Sequence, residues 1–421
     1  MKISRIGCAV SMLTIIWTAR AFGAGLYTTQ ICAGAGHTCA RLSDGTVRCW
    51  GANLAGALGN NSTDDSPTPV LVSGLTNVVS LACGDLHTCA ALSDGTARCW
   101  GSNSDGQIGD SSNTDRHTPT VVGGLSNVTA IAAGAMHTCA RLSDSSLRCW
   151  GNNSNRQLGD GNTGNPKDQQ SPVQVMGIST AVGVACGDVH SCALLANGTV
   201  SCFGANADGQ LGNGDPTGTG DDSGIPVPVT GLTGVTALSS GSLHNCALVS
   251  GGGVQCWGSN ASGAAGGIEN ETKFTVPHAV TGLPNVSVLR VGYAHNFASS
   301  SDGSVFGWGS DVFGELCDGA ADTSTPVPRA VADLQGAVGF GPASAHSCAL
   351  RANGVVLCCG ENQHGEVGIG SIDPPLSPPR PTGTVAGLPI LAASAPAADL
   401  LTLTSLGLLL LAVGARRLRK A

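Results

Sequence analysis

Residues 84–109 read Gly-Asp-Leu-His-Thr-Cys-Ala-Ala-Leu-Ser-Asp-Gly-Thr-Ala-Arg-Cys-Trp-Gly-Ser-Asn-Ser-Asp-Gly-Gln-Ile-Gly, and variants of this stretch recur along the chain. Its histidine returns as His37, His87, His137, His190, His244, His295 and His346, spaced 50, 50, 53, 54, 51 and 51 residues apart. A fixed period of this length marks a repeat architecture. Each unit contains four short strand signals. In the second copy Val78–Leu81 is apolar and precedes a glycine, Thr88–Leu92 alternates, Thr96–Trp100 returns after an Asp-Gly turn, and Thr120–Val122 follows a proline. Four strands in about fifty residues is the period of a propeller blade. Radial stacking buries both faces of each sheet and leaves only short edges. The expected fold is therefore all-β: a seven-bladed β-propeller of four-stranded blades filling residues 25–388, with short hydrophobic helices at the two ends.

Composition agrees. The 421 residues include 62 glycines, and charged residues make up only 11%, which suits tight turns rather than long solvated helices. The net charge of −8 comes without a Lys/Arg cluster between the termini, so a nucleic-acid partner is not expected. Trp50, Trp100, Trp150, Trp257 and Trp308 hold one repeat position, which Phe203 and Cys359 occupy in the other two copies. Aromatics at such a position are expected to pack between blades, with a hydrogen-bond partner for each indole N–H.

The ordered recurrence of Gly-x-x-His, the Asp-Gly turn, Cys-Trp-Gly-x-Asn and Gly-Gln-Leu-Gly resembles the regulator of chromosome condensation repeat family, across essentially the whole mature chain. That resemblance implies a seven-bladed propeller. Local departures are Ser145 at the turn glycine, Gly263-Ala264-Ala265-Gly266 and Gly314-Glu315-Leu316-Cys317.

The two ends read as export signals. Residues 1–24 combine Lys2 and Arg5, an apolar run from Ile6 to Trp17 and the small-residue motif Ala19-Arg20-Ala21, the pattern of a cleaved signal peptide. Residues 389–399 form a Pro/Ala-rich linker, and 400–421 an apolar stretch ending in Arg416-Arg417-Leu418-Arg419-Lys420. This end resembles the C-terminal sorting tails of bacterial exported proteins, without their Pro-Glu-Pro tripeptide; a plain membrane anchor is the alternative. The expected location is the cell surface, outer envelope or medium of a bacterium, with membrane contact through the C-terminal segment and a monomeric propeller.

Eighteen cysteines in an exported chain call for pairing. Six pairs have their members ten residues apart: Cys39 and Cys49, Cys89 and Cys99, Cys139 and Cys149, Cys192 and Cys202, Cys246 and Cys256, and Cys348 and Cys358. A three-residue hairpin loop, Ser43-Asp44-Gly45 in the first copy, sets Leu42 opposite Thr46 and so Cys39 opposite Cys49. This is expected to be a narrow, non-hydrogen-bonded pair, and all six are expected to be disulfides. The sixth copy lacks both partners together, carrying Phe297 and Gly307. Besides Cys8, which lies in the signal stretch, five cysteines of the mature chain remain, Cys32, Cys83, Cys186, Cys317 and Cys359; Cys83 and Cys186 are too far apart to bond each other, and Cys317 and Cys359 fall in adjacent blades. An odd number leaves a free thiol.

No catalytic, cofactor-binding or metal-binding residue stands out from the repeat. The seven repeat histidines are expected to bond backbone groups of their own blades, and His117, His278 and His364 to sit in surface loops. Paired acids at unique positions, which a polysaccharide-acting enzyme needs, are not evident. The copies differ most in two loops, 160–171 and 213–225, so Asp160, Asn165, Lys167, Asp168, Asn213, Asp215, Asp221 and Asp222 are the candidate binding residues. A solvated loop is preferred over a calcium site for Asp215, Asp221 and Asp222. The leading functional expectation is a non-catalytic extracytoplasmic scaffold for a protein or glycan. A guanine-nucleotide exchange role, implied by the family's nuclear members, and a propeller-based enzyme are the alternatives.

Overall fold

Strand β1 (Thr28–Ala33) pairs with β2 (His37–Leu42), β2 with β3 (Val47–Gly51) and β3 with β4 (Ser66–Leu71), all antiparallel and in sequence order. The structure, a computed structural model, describes residues 26–389 apart from 163, 165, 216–220, 268–270, 320–323, 373–384 and 386. Within these residues the same meander recurs to give seven sheets, six of four strands and one of three. In the last sheet the residues where a fourth strand would run lie outside the described set. Val385 N–H still donates to Val356 O at 3.0 Å, as Val72 does to Val47 in the first blade. The expected terminal helices also lie outside the described residues. Among those described, the helical segments are the short 3-10 turns Ala261–Gly263 and Ala332–Leu334, and no helix is long and apolar enough to cross a membrane.

The strand next to the axis in each blade touches its counterparts on both sides, and β1 closes the ring against the inner strand of blade seven, Ala337–Pro342. Burial follows this geometry. The apolar residues fall into seven clusters, each shared by two adjacent blades. In one, Leu58 and Leu75 of blade one meet Leu81 and Trp100 of blade two; the closing cluster joins Ile31 and Trp50 to Leu350 and Val356. The hydrophobic core is thus a wheel of interfaces between sheets.

The hairpin register places Cys39 opposite Cys49, with Leu42 N–H donating to Thr46 O at 2.8 Å. Gly45 supplies the left-handed residue at φ 78°, and Ser145 takes that conformation at φ 67° in blade three. The same register recurs in the other stapled hairpins, and all six pairs are disulfides. Cys39 is bonded to Cys49, Cys89 to Cys99, Cys139 to Cys149, Cys192 to Cys202, Cys246 to Cys256 and Cys348 to Cys358, with Cα atoms 4.0–4.1 Å apart. Two further bridges cross between blades: Cys32 to Cys83 joins blades one and two, and Cys317 to Cys359 joins blades six and seven. The second replaces a repeated contact. In other blades the final glycine of Gly-Gln-Leu-Gly lies under the next blade's aromatic, so that a Cβ on Gly59 would stand 2.7 Å from Trp100 Nε1. Where that aromatic is Cys359, the glycine has become Cys317. Cys186 stays a buried free thiol, its pKa pushed up to about 12 by burial.

The outermost strand starts earlier than its sequence signal. In blade two it runs Arg116–Val121 and includes Pro119. An edge strand tolerates proline because the missing N–H would face away from the sheet. His117 and His278 therefore sit on outer strands rather than in loops, and His278 is half-buried, stacked on Phe274 at 3.8 Å with its ring bonded to Cys256 O. Its apolar neighbour on the same strand explains why it is not a surface residue.

Candidate ligand-binding face

Because strands alternate in direction, the β1–β2 turn and the β3–β4 loop of every blade emerge at the same end of the wheel. The β1–β2 turns carry Gly-x-x-His and converge on the axis. Their glycines are required by crowding: a Cβ on Gly187 would lie 2.4 Å from Gly241 O and 2.3 Å from His190 Cε1. The next residue links the blades through its backbone, as in Ala35 N–H to Asp85 O (3.2 Å), Ser242 N–H to Tyr293 O (3.1 Å) and Tyr293 N–H to Ala343 O (3.0 Å).

The repeat histidines correct the expectation of bonds within their own blades. Each Nε2 reaches the residue after the next blade's histidine: His37 to Thr88, His87 to Thr138, His137 to Ser191, His190 to Asn245, His244 to Asn296, His295 to Ser347, and His346 back to Thr38, at 2.7–2.9 Å. The partners fix the proton. Thr88 Oγ1 donates to Ala57 O and Asn245 Nδ2 donates to Gln210 O, so Thr88 Oγ1 and Asn245 Oδ1 accept from the histidine. Each ring is thus neutral with its proton on Nε2. Burial holds every one of them far below the usual imidazole range, at about 3 to 4. The ring is a structural latch around the axis, and its partner lies one repeat away, where strand patterning has no say.

Four of the five tryptophans, Trp50, Trp100, Trp150 and Trp257, donate to these same carbonyls. Trp308 Nε1 is buried with no partner among the described residues, so the expectation of a partner for each indole N–H fails in blade six. Trp100 Nε1 donates to Ala57 O at 2.8 Å and Trp150 to Gln107 O at 2.9 Å. Replacing Trp100 by Phe, the kind of residue blade four carries at Phe203, removes one of two donors to Ala57 O. Chemical denaturation should show a loss of about 1–2 kcal/mol with the fold retained; a loss several times larger would mean that the indole's role is packing.

At the axis the seven turns enclose a cavity of about 170 Å³. The residue after each glycine, or after Ala343 in blade seven, lines it. Here the repeats diverge: Ala35, Asp85, Ala135, Asp188, Ser242, Tyr293 and Ser344. Blades two and four thus bring two carboxylates to one small mouth, and among the described residues no lysine, arginine or histidine lines it. Burial, and then repulsion from Asp188, raise the Asp85 carboxyl to about 6. Burial also raises Asp188, against the hydrogen bond that Ser242 Oγ donates to it at 2.5 Å. The paired acids that the sequence reading found missing are therefore present. Their signal was a varying position inside the recurring Gly-x-x-His, which blade seven carries as Ala-x-x-His. Leu86, Met136 and Tyr293 are exposed around the mouth, and a second cavity of about 90 Å³ opens beside Ser242 and Tyr293.

The loops expected to bind lie on this same face. They differ from their sister loops less than their sequences suggest. Asn53 N–H is held by Asp65 twelve residues on and Asn153 N–H by Asp168 fifteen residues on, so blade three carries a three-residue insertion. Asp168 is thereby a structural cap. Asp160 and Asn213 hold the same turn from within, accepting from Asn153 Nδ2 and Asn206 Nδ2. These three act on the loop's own turn because the repeat assigns that job to their positions. Asp221 is exposed, and Asp215 half-buried. Asp222 docks the two loops together, its carbonyl accepting from Arg156 Nη1 at 3.0 Å while Gly161 N–H donates to Gly224 O. Lys167 O accepts from Gln169 Nε2. Asn165 lies outside the described residues.

These features define a closed seven-bladed propeller locked blade to blade by its Gly-x-x-His turns. Residues 15–341 match the RCC1-like domain and residues 344–366 the regulator of chromosome condensation (RCC1) repeat, and the chain belongs to that RCC1-like family. It is 31% identical over 351 residues to the ultraviolet-B receptor UVR8 of Arabidopsis thaliana, covering 81% of this chain and 67% of the receptor. It is also 31% identical over 207 residues to the probable E3 ubiquitin-protein ligase HERC6 of Homo sapiens, where the match covers 47% of this chain and spans only 20% of the ligase. Among solved structures, yeast RCC1 (Prp20) bound to Kap60 superposes with a TM-score of 0.69 at 21% identity, over 94% of this chain and 92% of that one. At that identity the likeness establishes the fold alone.

Proposed function

We propose that this protein is a non-catalytic scaffold, working outside the cytoplasm of a bacterium, that binds a partner protein through the face bearing the axial mouth. The observation that carries this reading is the pair of partly buried carboxylates, Asp85 and Asp188, with no cationic side chain lining their cavity. Buried charge favours pairing, and a lysine or arginine tip of a partner supplies it. Size favours a side-chain tip as well. Pockets for drug-sized ligands run to about 300–1,000 Å³, beyond the cavity here, which counts against a polysaccharide substrate. The exposed Leu86, Met136 and Tyr293 give the apolar surround that protein interfaces use. An extracytoplasmic setting is supported by the eight disulfides, which persist in oxidising compartments. Likeness to yeast RCC1 extends to the fold and lends nucleotide exchange no further weight.

The test is fluorescence anisotropy with labelled Lys/Arg-rich and Asp/Glu-rich peptides. The basic peptides should bind, more weakly as salt rises, and Asp85→Asn with Asp188→Asn should cost at least about tenfold in affinity. Equal affinity for acidic peptides, or no change in the double variant, would exclude the mouth as the recognition site.

A further inference from the structure

The β3–β4 loop of each blade is closed by one side chain, and blade six has changed its chemistry. In six blades that residue is asparagine: Asn53, Asn103, Asn153, Asn206, Asn260 and Asn362. Its Oδ1 accepts the backbone N–H five residues on, as from Leu58, Ile108 and Val367 at 2.9–3.1 Å. Its amide nitrogen donates to oxygens across the loop. Asn103 Nδ2 reaches Asp110 Oδ1, seven residues on, at 3.3 Å, together with Ser112 O and Thr114 O. Asn53 does the same with Asn60 Oδ1, Ser62 O and Asp64 O.

Blade six has Asp311. Its Oδ1 keeps the repeat bond, accepting Leu316 N–H at 2.9 Å. Its Oδ2 stands where the amide nitrogen stands elsewhere, is fully buried, and has no hydrogen-bond partner among the described residues. The residue seven positions on is again acidic, Asp318. Where the sister blades set a donor, blade six thus sets a buried acceptor, with a second carboxylate seven positions on. Glu315 adds a third carboxylate nearby, bonded through Oε1 to Ser310 Oγ (2.6 Å) and through Oε2 to Phe313 N–H (2.7 Å). Arg329, half exposed, stands 3.8 Å from Asp318 Oδ2.

We infer that blade six closes this loop with a calcium ion, ligated by Asp311 Oδ2 and the Asp318 carboxylate, in place of the amide its sister blades use. All-oxygen donors in an irregular loop suit calcium, whereas magnesium demands a near-ideal octahedron. With two protein carboxylates as its core, the site belongs in the weak range of extracellular modules, a Kd of about 10⁻⁴–10⁻³ M.

Calcium chloride titrated into the full chain at pH 8, followed by calorimetry, decides this. The wild type should show a saturable site that Asp311→Asn abolishes or weakens at least tenfold. Magnesium chloride should compete poorly. The variant restores the asparagine of the other six blades, so it should fold, and its melting temperature in EGTA should match or exceed that of the wild type. Absence of a saturable calcium site in the wild type, or its survival in Asp311→Asn, overturns the inference. A wild type that ignores calcium while Asp311→Asn melts higher at pH 8 also overturns it, by showing that a proton on Oδ2 does the work.

Discussion

Lowering the pH from 7 to 5 should destabilise this propeller by an amount comparable to its whole folding free energy. The seven repeat histidines are buried, neutral, and held at about 3 to 4 in the folded chain, against about 6.5 when unfolded. Protonation would put the second proton on Nδ1, and Nδ1 of His87, His137, His190, His295 and His346 has no partner. Below pH 6.5 the unfolded chain binds protons that the folded chain refuses, so stability falls with pH until the folded pKa is reached. Each histidine costs about 2 kcal/mol by pH 5. Seven together approach roughly 14 kcal/mol, beside a typical stability of about 5–15 kcal/mol. Asp85, Asp188, Asp311 and Glu366 have raised carboxyls and act in the opposite direction over the same window. Four such groups, titrating over part of the range, offset the loss without cancelling it. Thermal melts from pH 7.5 to 4.5, with proton uptake on unfolding measured in two buffers, would show this. A melting temperature flat between pH 7 and 5 would mean that the rings are not held neutral.

Reduction should have an effect as large. A bridge closing a loop of about ten residues contributes roughly 2–3 kcal/mol by loop-closure entropy, and longer loops contribute more. Six hairpin bridges and two cross-blade bridges therefore sum to more than a domain's usual stability. Their half-buried or fully buried sulfurs shield them from reductant until the chain opens. After unfolding in denaturant with reductant, dilution should fail to restore the native melting transition, whereas an unreduced control should recover it. Blade six shows that a single sheet tolerates the loss, since Phe297 and Gly307 take the place of a pair and Phe297 stacks on Phe340 at 5.2 Å. Native recovery by the reduced chain would show the bridges dispensable, and the cytosolic reading of the family would regain its place.

Much of the architecture was legible because it is local. Alternation along Thr88–Leu92 and the left-handed Gly95 fix which side chains share a face and which residues sit opposite one another, so the bond between Cys89 and Cys99 needs nothing beyond the hairpin. The same holds for Cys149, Cys202 and Cys358, each paired across its own turn. The repeat adds the blade count and the position of each tryptophan between sheets. The candidate site was legible only in part. Asp160, Asp168 and Asn213 looked like loop variation and proved to hold their own turns, since a polar residue at a loop's start serves the backbone before it serves a ligand.

The seven units, the strands within them and the register of every stapled hairpin follow from residue order alone, because they depend on residues a few positions apart along the chain. Packing in three dimensions was needed to bond each histidine to the neighbouring blade, to bring Cys32 to Cys83, and to set Asp85 and Asp188 at one mouth. Those contacts join residues one or two repeats apart. They exist only once the sheets are packed at one radius and the ring has closed, and that geometry is set by the summed packing of seven interfaces rather than by any local pattern.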